Sequence, residues 1–359
     1  MSQVMSGSGS GALCTAMIAA LAALGGCGSS GAHPIRTSSA IAAPSTATSA
    51  TTTLAPANPK PSRPRRRFPR GHPPFAVRER VLTFVDQSRK VRLPSGAQEP
   101  RTLVTVIRYP TSMRAAGPLG PLGPFPLIVF GHGFAVTPAS YARLLRSLAA
   151  AGYVVAAPLF PLGNANAPGG PDESDLVNQP RDMRFVISRM LRASADPAGR
   201  ARAGPAGSLS RLIDPRRIAV AGQSDGGDTA LATAYDPRWL DRRVRAAVIF
   251  SGAEIPGIGG FDFPASSPPL LAMQGSADTI NPPAFTQAFY DGARAPKFLL
   301  TLLGAPHLGP YTDEQPQLAI VERCTIAFLD HYLKRDRSGL QRLRTAGGVP
   351  GTAVLAADP

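Results

Sequence analysis

Short continuous runs of apolar residues recur from residue 127 onward and predict the buried strands of a sheet. Strands covered on both faces carry apolar side chains at every position rather than at alternate positions. The runs occupy residues 127–130, 153–157, 218–221, 244–250, 270–273 and 297–303. Two further β-rich segments, 75–85 and 101–109, precede them and predict an antiparallel start to a mixed sheet.

Helical segments alternate with these strands. Tyr141, Leu144, Leu145 and Leu148 form an apolar stripe with the spacing of one helix face, and Gly152 ends that helix. Further helices are predicted to start near 180 and to cover 228–235, 282–292 and 316–333. The alternation predicts an α/β fold with a mostly parallel, doubly wound sheet, helices on both faces and no large cap domain.

Composition sets the two ends of the chain apart from this region. Residues 1–71 are rich in Ala, Ser, Thr, Gly and Pro, contain no Asp or Glu, and carry seven positive charges of a chain with net charge +15. We interpret 28–71 as a disordered basic tether, although its Arg run at 65–67 could attract phosphate or anionic lipid. No interleaved aromatic residues indicate a nucleic-acid partner. A catalytic domain over 72–336 and a flexible C-terminal tail over 337–359 complete the predicted organisation.

The N-terminal segment has the pattern of an export signal. Residues 12–24 form an apolar run of the length of a signal-peptide core, too short to span a bilayer comfortably. Leu24-Gly25-Gly26-Cys27 follows and resembles a bacterial lipoprotein signal, although residues 1–11 contain no Lys or Arg. That resemblance implies a signal over 1–27, with Cys27 as the lipid attachment residue. We expect an exported protein, anchored at the outer face of the cytoplasmic membrane or secreted.

The stretch 219–228 reads as a short buried strand that ends at a serine between small residues, with a helix-compatible segment after it. This G-x-S-x-G pattern predicts a nucleophile elbow, in which Ser224 lies on a sharp strand-to-helix turn. Gly222 and Gly226 supply the small neighbours that such a turn requires. The helix N-terminus also points free N–H groups at the place where negative charge would develop. A chance glycine turn is the alternative.

A serine nucleophile needs a base, and the chain offers five histidines. His33 and His72 lie in the tether or at its edge, and His331 lies near the end of a terminal helix. His132 directly follows a strand, in the segment expected to hold an oxyanion. His307 remains, on a Pro/Gly loop after the strand 297–303, where its side chain can reach over the sheet edge. We predict that His307 is the base; a loop histidine without a task is the alternative.

The acid that orients this base should lie just after the carboxyl end of a strand, between the elbow and His307 in the sequence. Asp278 follows the apolar run 270–273 and meets that condition. Glu254 and Asp262 follow the previous strand and are rival candidates, and Asp278 could also be a simple turn residue. The chain order Ser, Asp, His favours Asp278.

Two backbone N–H groups are expected to form the oxyanion hole. One belongs to Asp225, the residue after the nucleophile, and the other to the turn 131–134, where we favour Phe134. Glycines in that turn let the backbone approach a substrate closely. The side chain of Asp225 could disfavour anionic substrates, or it could point away and cap the helix.

Taken together, these motifs resemble an α/β-hydrolase over residues from about 75 to 335. Within that superfamily the chain is most similar to dienelactone-hydrolase-like, chlorophyllase-like and platelet-activating-factor-acetylhydrolase-like esterases. The resemblance rests on F-G-H-G-F at 130–134, G-Q-S-D-G-G at 222–227, the segment with Gly275 and Asp278, and Pro306-His307. Two departures stand out. Dienelactone hydrolases use cysteine where this chain has Ser224, and bacterial polyester hydrolases carry His and Met where it has Gln223 and Asp225.

The resemblance implies an esterase that acts through a Ser-His-Asp triad and an acyl-enzyme. It implies no organic cofactor and no metal, and its substrate would be a small-molecule or lipid ester. One alternative is a non-catalytic, envelope-anchored binding protein on a hydrolase scaffold, but the presence of all three triad residues in order argues against it. A second alternative is an enzyme of the same fold that cleaves an amide or peptide bond instead of an ester.

Overall fold

The computed structural model describes residues 75–111, 123–195, 209–255, 257–258 and 261–359. The chain divides into two units, Met1–Arg65 and Arg66–Pro359, and every described residue belongs to the second. The predicted signal 1–27, its Cys27 and the predicted tether 28–71 lie outside the described residues. Their assignments remain predictions.

The described residues form one sheet with nine strands. Its order is β1-β2-β4-β3-β5-β6-β7-β8-β9. The strands are β1 Ala76–Arg92, β2 Gln98–Thr111, β3 Phe125–Gly131, β4 Val154–Pro158, β5 Ile213–Gln223, β6 Val244–Phe250, β7 Leu270–Gly275, β8 Lys297–Leu302 and β9 Ala353–Asp358. Strands β3 to β8 pair in parallel, whereas β1 and β2 pair antiparallel and β2 runs antiparallel to β4. The predicted antiparallel start is therefore confirmed.

Helices connect the parallel strands. They are α1 Ala142–Ala150, α2 Gln179–Ala195, α3 Asp225–Tyr235, α4 Pro283–Gly292, α5 Gly309–Thr312, α6 Gln317–Lys334 and α7 Gly339–Gly347. Short 3-10 turns, Pro138–Tyr141 and Glu173–Asn178, precede α1 and α2. Within the described ranges, no helix combines the length and apolar character needed to cross a membrane. The strand and helix order confirms the predicted fold class, an α/β-hydrolase fold.

Apolar layers cover both faces of the sheet. Along β3, Leu127 and Val129 belong to one buried cluster, and Ile128 and Phe130 belong to the other. Helices α2, α3 and α4 contribute to the first cluster, while α1, α6 and α7 contribute to the second. Burial on both faces explains why the strand sequences are continuous apolar runs.

The structure of the C-terminal segment contradicts the predicted flexible tail over 337–359. Helix α7 buries Leu343 against the rest of the fold. Strand β9 pairs antiparallel with β8, with Ala353 opposite Leu302 at one end and Asp358 opposite Lys297 at the other. The predicted domain boundary at residue 336 therefore lies too early. Ala353 of β9 is buried and Leu355 packs partly buried against the same apolar cluster, while the other residues of this edge strand are exposed and are held mainly by backbone pairing.

A buried ion cluster fixes the start of α2 to the sheet. The guanidinium of Arg101 on β2 is fully buried and donates to both oxygens of Asp175 at 2.8 and 2.7 Å. It also donates to both oxygens of Asp182 at 2.7 and 2.6 Å. Arg89 adds an ion pair to Asp182 at 2.8 Å. The cluster holds the 3-10 turn and the first turn of α2 in one position relative to β2.

We expect Arg101→Met to lower the free energy of unfolding by about 3–5 kcal/mol, because it leaves two buried carboxylates without their main partner. Urea unfolding followed by circular dichroism measures the change. Arg78→Met, on the exposed side of β1, is the matched control and should stay within about 0.5 kcal/mol of the wild type. Equal midpoints for the two variants would contradict the role given to the cluster.

Candidate active site

Ser224 lies at the junction between β5 and α3. Its backbone has φ 55° and ψ −128°, a conformation that residues with a side chain rarely adopt. Its N–H donates to the carbonyl of Phe250 at 3.0 Å, which ties the junction to the neighbouring strand β6. Helix α3 begins at Asp225, three residues earlier than the sequence pattern indicated. A positive φ at the junction of a strand and a helix is the geometry expected of a nucleophile elbow.

The two predicted elbow glycines are required by close backbone contacts. A Cβ on Gly222 would overlap the carbonyl of Gly226, and a Cβ on Gly226 would overlap the carbonyl of Gly131. Helix α3 thus approaches both β5 and β3 at backbone distance. Any side chain at these positions would push the helix away from the strands and move Ser224.

The imidazole of His307 connects the other two predicted residues. Its Nε2 lies 2.9 Å from Ser224 Oγ, and its Nδ1 lies 2.8 Å from Asp278 Oδ2. With a proton on Nδ1 facing this carboxylate, Nε2 would be free to accept the serine proton. No hydrogen bond or ion pair in the described structure joins His307 to the rival acids Glu254 and Asp262.

Asp278 is held as an anion by several donors. The backbone N–H groups of Ile280 and Asn281 donate to its Oδ1 at 3.0 and 2.9 Å, and the Gln274 amide donates to its Oδ2 at 3.1 Å. Burial raises the pKa of this carboxyl, but the hydrogen bonds from His307 and Asn281 outweigh burial and leave the pKa below its usual value. An ionised Asp278 can orient and stabilise the imidazolium of His307.

A polar chain not predicted from the sequence supports His307 from the other side. The amide of Gln223 donates to the His307 carbonyl at 3.1 Å and lies 3.2 Å from its Nε2. Its Oε1 accepts from the hydroxyl of Tyr141 at 2.6 Å, and that hydroxyl accepts from the N–H of Gly133 at 3.2 Å. Tyr141 entered the sequence analysis only as part of an apolar stripe. Spacing along the chain gave no signal for this contact.

The turn after β3 lies next to the nucleophile. A Cβ built on Gly133 would be 3.2 Å from the Cβ of Ser224. In the described part of the chain, the N–H groups of Phe134 and Asp225 make no hydrogen bond to another residue. The backbone of Asp225 also hydrogen-bonds the carboxyl group of its own residue and lowers the pKa of that group. The assignment of both N–H groups to an oxyanion hole remains a prediction.

The two remaining histidines of the described ranges have structural contacts. His132 is fully buried, with Nδ1 2.8 Å from the Gly133 carbonyl and Nε2 accepting from the Phe160 N–H at 3.0 Å. Burial lowers the pKa of His132 to about 4, against the opposing effect of its hydrogen bond to Gly133. This neutral imidazole fixes the turn that carries Phe134. His331 contacts the Asp336 carbonyl at 3.1 Å, near the end of α6.

Two carboxyl groups in the first turn of α3 are buried and incompletely paired. Asp225 is 5% exposed and Asp228 is fully buried. Among the described residues, the Oδ2 atoms of both have no hydrogen-bond partner. The other oxygen of Asp228 accepts a short hydrogen bond from the N–H of Ala253. Asp228 therefore holds the loop after β6, whereas Asp225 lies beside the nucleophile.

Where the structure is described, no three His, Cys, Asp or Glu side chains are grouped so that they could hold a metal ion.

One comparison with known protein families matches part of the chain. A family model described as chlorophyllase matches residues 101–249, which run from β2 to β6 and include the elbow, but not Asp278 or His307. The chain is an α/β-hydrolase by fold. The match indicates an ester hydrolase of this type. No curated protein matches the chain.

We expect Gly222→Ala to lower the free energy of unfolding by about 1–3 kcal/mol, because the added methyl group overlaps the Gly226 carbonyl. Gly292→Ala is the matched control, since a Cβ at this α4 position makes only ordinary contacts, 3.5 Å from the Phe263 ring. Thermal unfolding of both variants measures the difference. A Gly222→Ala protein as stable as the control would rule out the close contact between α3 and β5.

Proposed function

We propose that this protein is a serine hydrolase that cleaves carboxylic esters through an acyl-enzyme. The observation that carries the proposal is the bridge made by His307 between Ser224 Oγ at 2.9 Å and Asp278 Oδ2 at 2.8 Å. These distances are within the hydrogen-bond reach that proton transfer needs.

Acylation begins with the removal of the serine proton. His307 Nε2 accepts the proton of Ser224 Oγ as that oxygen attacks the ester carbonyl carbon, and Asp278 stabilises the resulting imidazolium. The carbonyl oxygen becomes an oxyanion and accepts hydrogen bonds from the N–H groups of Phe134 and Asp225. The tetrahedral intermediate then collapses, and the imidazolium gives its proton to the leaving alcohol. The acyl group remains bonded to Ser224 Oγ.

Deacylation repeats these steps with water. His307 removes a proton from water as the water oxygen attacks the acyl carbonyl, and the same two N–H groups hold the new oxyanion. Collapse releases the carboxylic acid and returns the proton to Ser224.

An ester is the bond favoured by the comparison, because the matching family model is described as chlorophyllase. The continuous chain of contacts from Gly133 through Tyr141 and Gln223 to His307 disfavours the non-catalytic alternative. A binding protein would have no need of an imidazole aligned with both a serine and an ionised carboxylate. An amide or peptide substrate is not favoured by any contact.

The proposed location follows from the sequence alone. We propose that the protein is exported and attached to the outer face of the cytoplasmic membrane by lipid on Cys27, or else secreted. A tether over 28–71 would give the catalytic domain reach from the membrane. The substrate would be a small-molecule or lipid ester.

We expect Ser224→Ala to reduce the kcat for p-nitrophenyl acetate by about 10⁴-fold or more, because triad members act as one unit. The double variant Ser224→Ala, His307→Ala should be no slower than the single variant for the same reason. The release of p-nitrophenolate, followed by its visible absorbance, measures both rates. Ser188→Ala, on α2, is the matched control and should retain wild-type turnover.

A fluorophosphonate probe gives an independent test of the same assignment. Its phosphorus should bond to Ser224 Oγ and be found by mass spectrometry on the peptide that contains this residue. Labelling of another serine, or full turnover by Ser224→Ala, would contradict the proposal.

We expect Cys27→Ser to move the protein from the membrane fraction to the soluble fraction of its host, because lipid can no longer be attached. Immunoblots of the two fractions after ultracentrifugation measure the shift, and Cys14→Ser serves as the control. A membrane-bound Cys27→Ser protein would contradict the anchor while leaving the catalytic proposal untouched.

A further inference from the structure

Gln223 lies directly before the nucleophile, and its side-chain amide is buried beside His307. An amide has two sides of opposite hydrogen-bonding character, because its oxygen accepts and its NH2 group donates. The effect of Gln223 on the imidazole therefore depends on which side of the amide faces His307. The other partners of the amide fix that orientation.

Backbone groups at the two ends of a short hydrogen-bond chain determine how the amide is turned. At one end the N–H of Gly133, which can only donate, donates to the Tyr141 hydroxyl at 3.2 Å, and this hydroxyl donates its own proton to Gln223 Oε1 at 2.6 Å. At the other end the carbonyl of His307, which can only accept, accepts from Gln223 Nε2 at 3.1 Å. A reversed amide would set its oxygen against the His307 carbonyl, acceptor against acceptor.

Burial makes this orientation costly to change. Gln223 is 1% exposed and Tyr141 is fully buried. The oxyanion turn also approaches closely, since a Cβ built on Gly133 would lie 2.7 Å from Gln223 Oε1. A hydrogen bond lost in this cluster is not replaced by one to bulk water, so each group keeps the partner that the chain gives it.

The amide nitrogen carries two protons, and the His307 carbonyl uses only one of them. The other is available to the imidazole, whose Nε2 lies 3.2 Å from Gln223 Nε2. A donor at this place is favourable only while the imidazole Nε2 carries a lone pair instead of a proton. On the far side of the ring, Nδ1 lies 2.8 Å from Asp278 Oδ2, an acceptor that favours a proton on Nδ1. The two contacts therefore favour the same tautomer from opposite sides.

We propose that Gln223 is a positioning residue that keeps the His307 imidazole in the tautomer with its proton on Nδ1, and that Tyr141 acts through Gln223 by orienting its amide. This inference rests on the proposed ester hydrolysis and adds to it the control of the base. Only this tautomer has a lone pair on Nε2 for the proton of Ser224 Oγ, while the proton on Nδ1 stays in place. In the other tautomer Nε2 would present a proton to Ser224, and acylation could not begin.

NMR of the protein with isotope-labelled histidine rings shows which ring nitrogen carries the proton. The spectra are recorded at about pH 9, where imidazole groups are neutral, and the His307 signals are identified by their absence from His307→Asn. The wild type should have a protonated Nδ1 and an unprotonated Nε2. Gln223→Glu replaces the donor by a charged acceptor of the same shape, so the fraction with a proton on Nε2 should rise by about tenfold or more.

The same change should slow the reaction without weakening binding of the ester. We expect Gln223→Glu to lower the kcat for p-nitrophenyl acetate by about 10²-fold, with the KM changed by less than about threefold, because the amide acts through His307 and not on the substrate. Stopped or continuous release of p-nitrophenolate measures both constants.

Tyr141→Phe is a second variant that leaves the amide in place. It removes only the hydroxyl that orients the amide, so kcat should fall by about tenfold and the tautomer population should lie between those of the wild type and Gln223→Glu. Tyr235→Phe is the matched control, because it also removes a buried hydroxyl, one that donates to the carbonyl of Pro268 at 3.1 Å. It should leave the tautomer and kcat unchanged.

The tautomer separates positioning from a general loss of structure, which would lower kcat and disturb the signals of His132 as well. A wild type with the proton on His307 Nε2, or the same tautomer population in all variants, would overturn the inference whatever happens to kcat. An altered tautomer with full kcat would overturn it too. Full hydrolysis by Ser224→Ala would contradict the proposed function instead, so the two failures are distinguishable.

Discussion

The contact between the first turn of α3 and the ends of β3 and β5 is the constraint on which the site depends. Gly222 and Gly226 meet at backbone distance, and Gly131 of β3 touches Gly226 from the other side. With three backbones so close, the chain between Gly222 and Gly226 has to turn sharply. Ser224 takes up that turn with its positive φ, and its hydroxyl is thereby held at the edge of the sheet rather than inside it.

The base and the acid reach this edge through a second close contact. A Cβ on Gly275, the last residue of β7, would overlap the carbonyl of Ala305 in the loop after β8. This contact brings together the loops that carry Asp278 and His307, which are 29 residues apart in sequence. The arrangement of Ser224, His307 and Asp278 therefore depends on two backbone contacts at the carboxyl ends of parallel strands, where an open α/β sheet places its ligands.

The sequence predicted those features that leave a local pattern. Continuous apolar strands, the elbow glycines and the chain order of Ser224, Asp278 and His307 are each visible in short segments. The contact of Gln223 with Tyr141 joins residues 82 apart, and no local pattern encodes such a pair. Strand β9 was missed because its hydrogen bonds to β8 involve backbone groups that every sequence has. Polar pairing over long distances and edge pairing without burial are invisible to periodicity.

Asp225 shows how opposing effects at the elbow are resolved. The N-terminus of α3 favours negative charge, both on an oxyanion and on a carboxylate in the first turn. Burial and the neighbouring Glu173 act in the opposite direction, and the raised pKa shows that they prevail. A permanently charged Asp225 would repel the oxyanion to which, in the proposed mechanism, its own N–H donates. Because burial and Glu173 raise the pKa of Asp225 to about 7, this carboxyl is partly neutral near neutral pH, which weakens its repulsion of the proposed oxyanion.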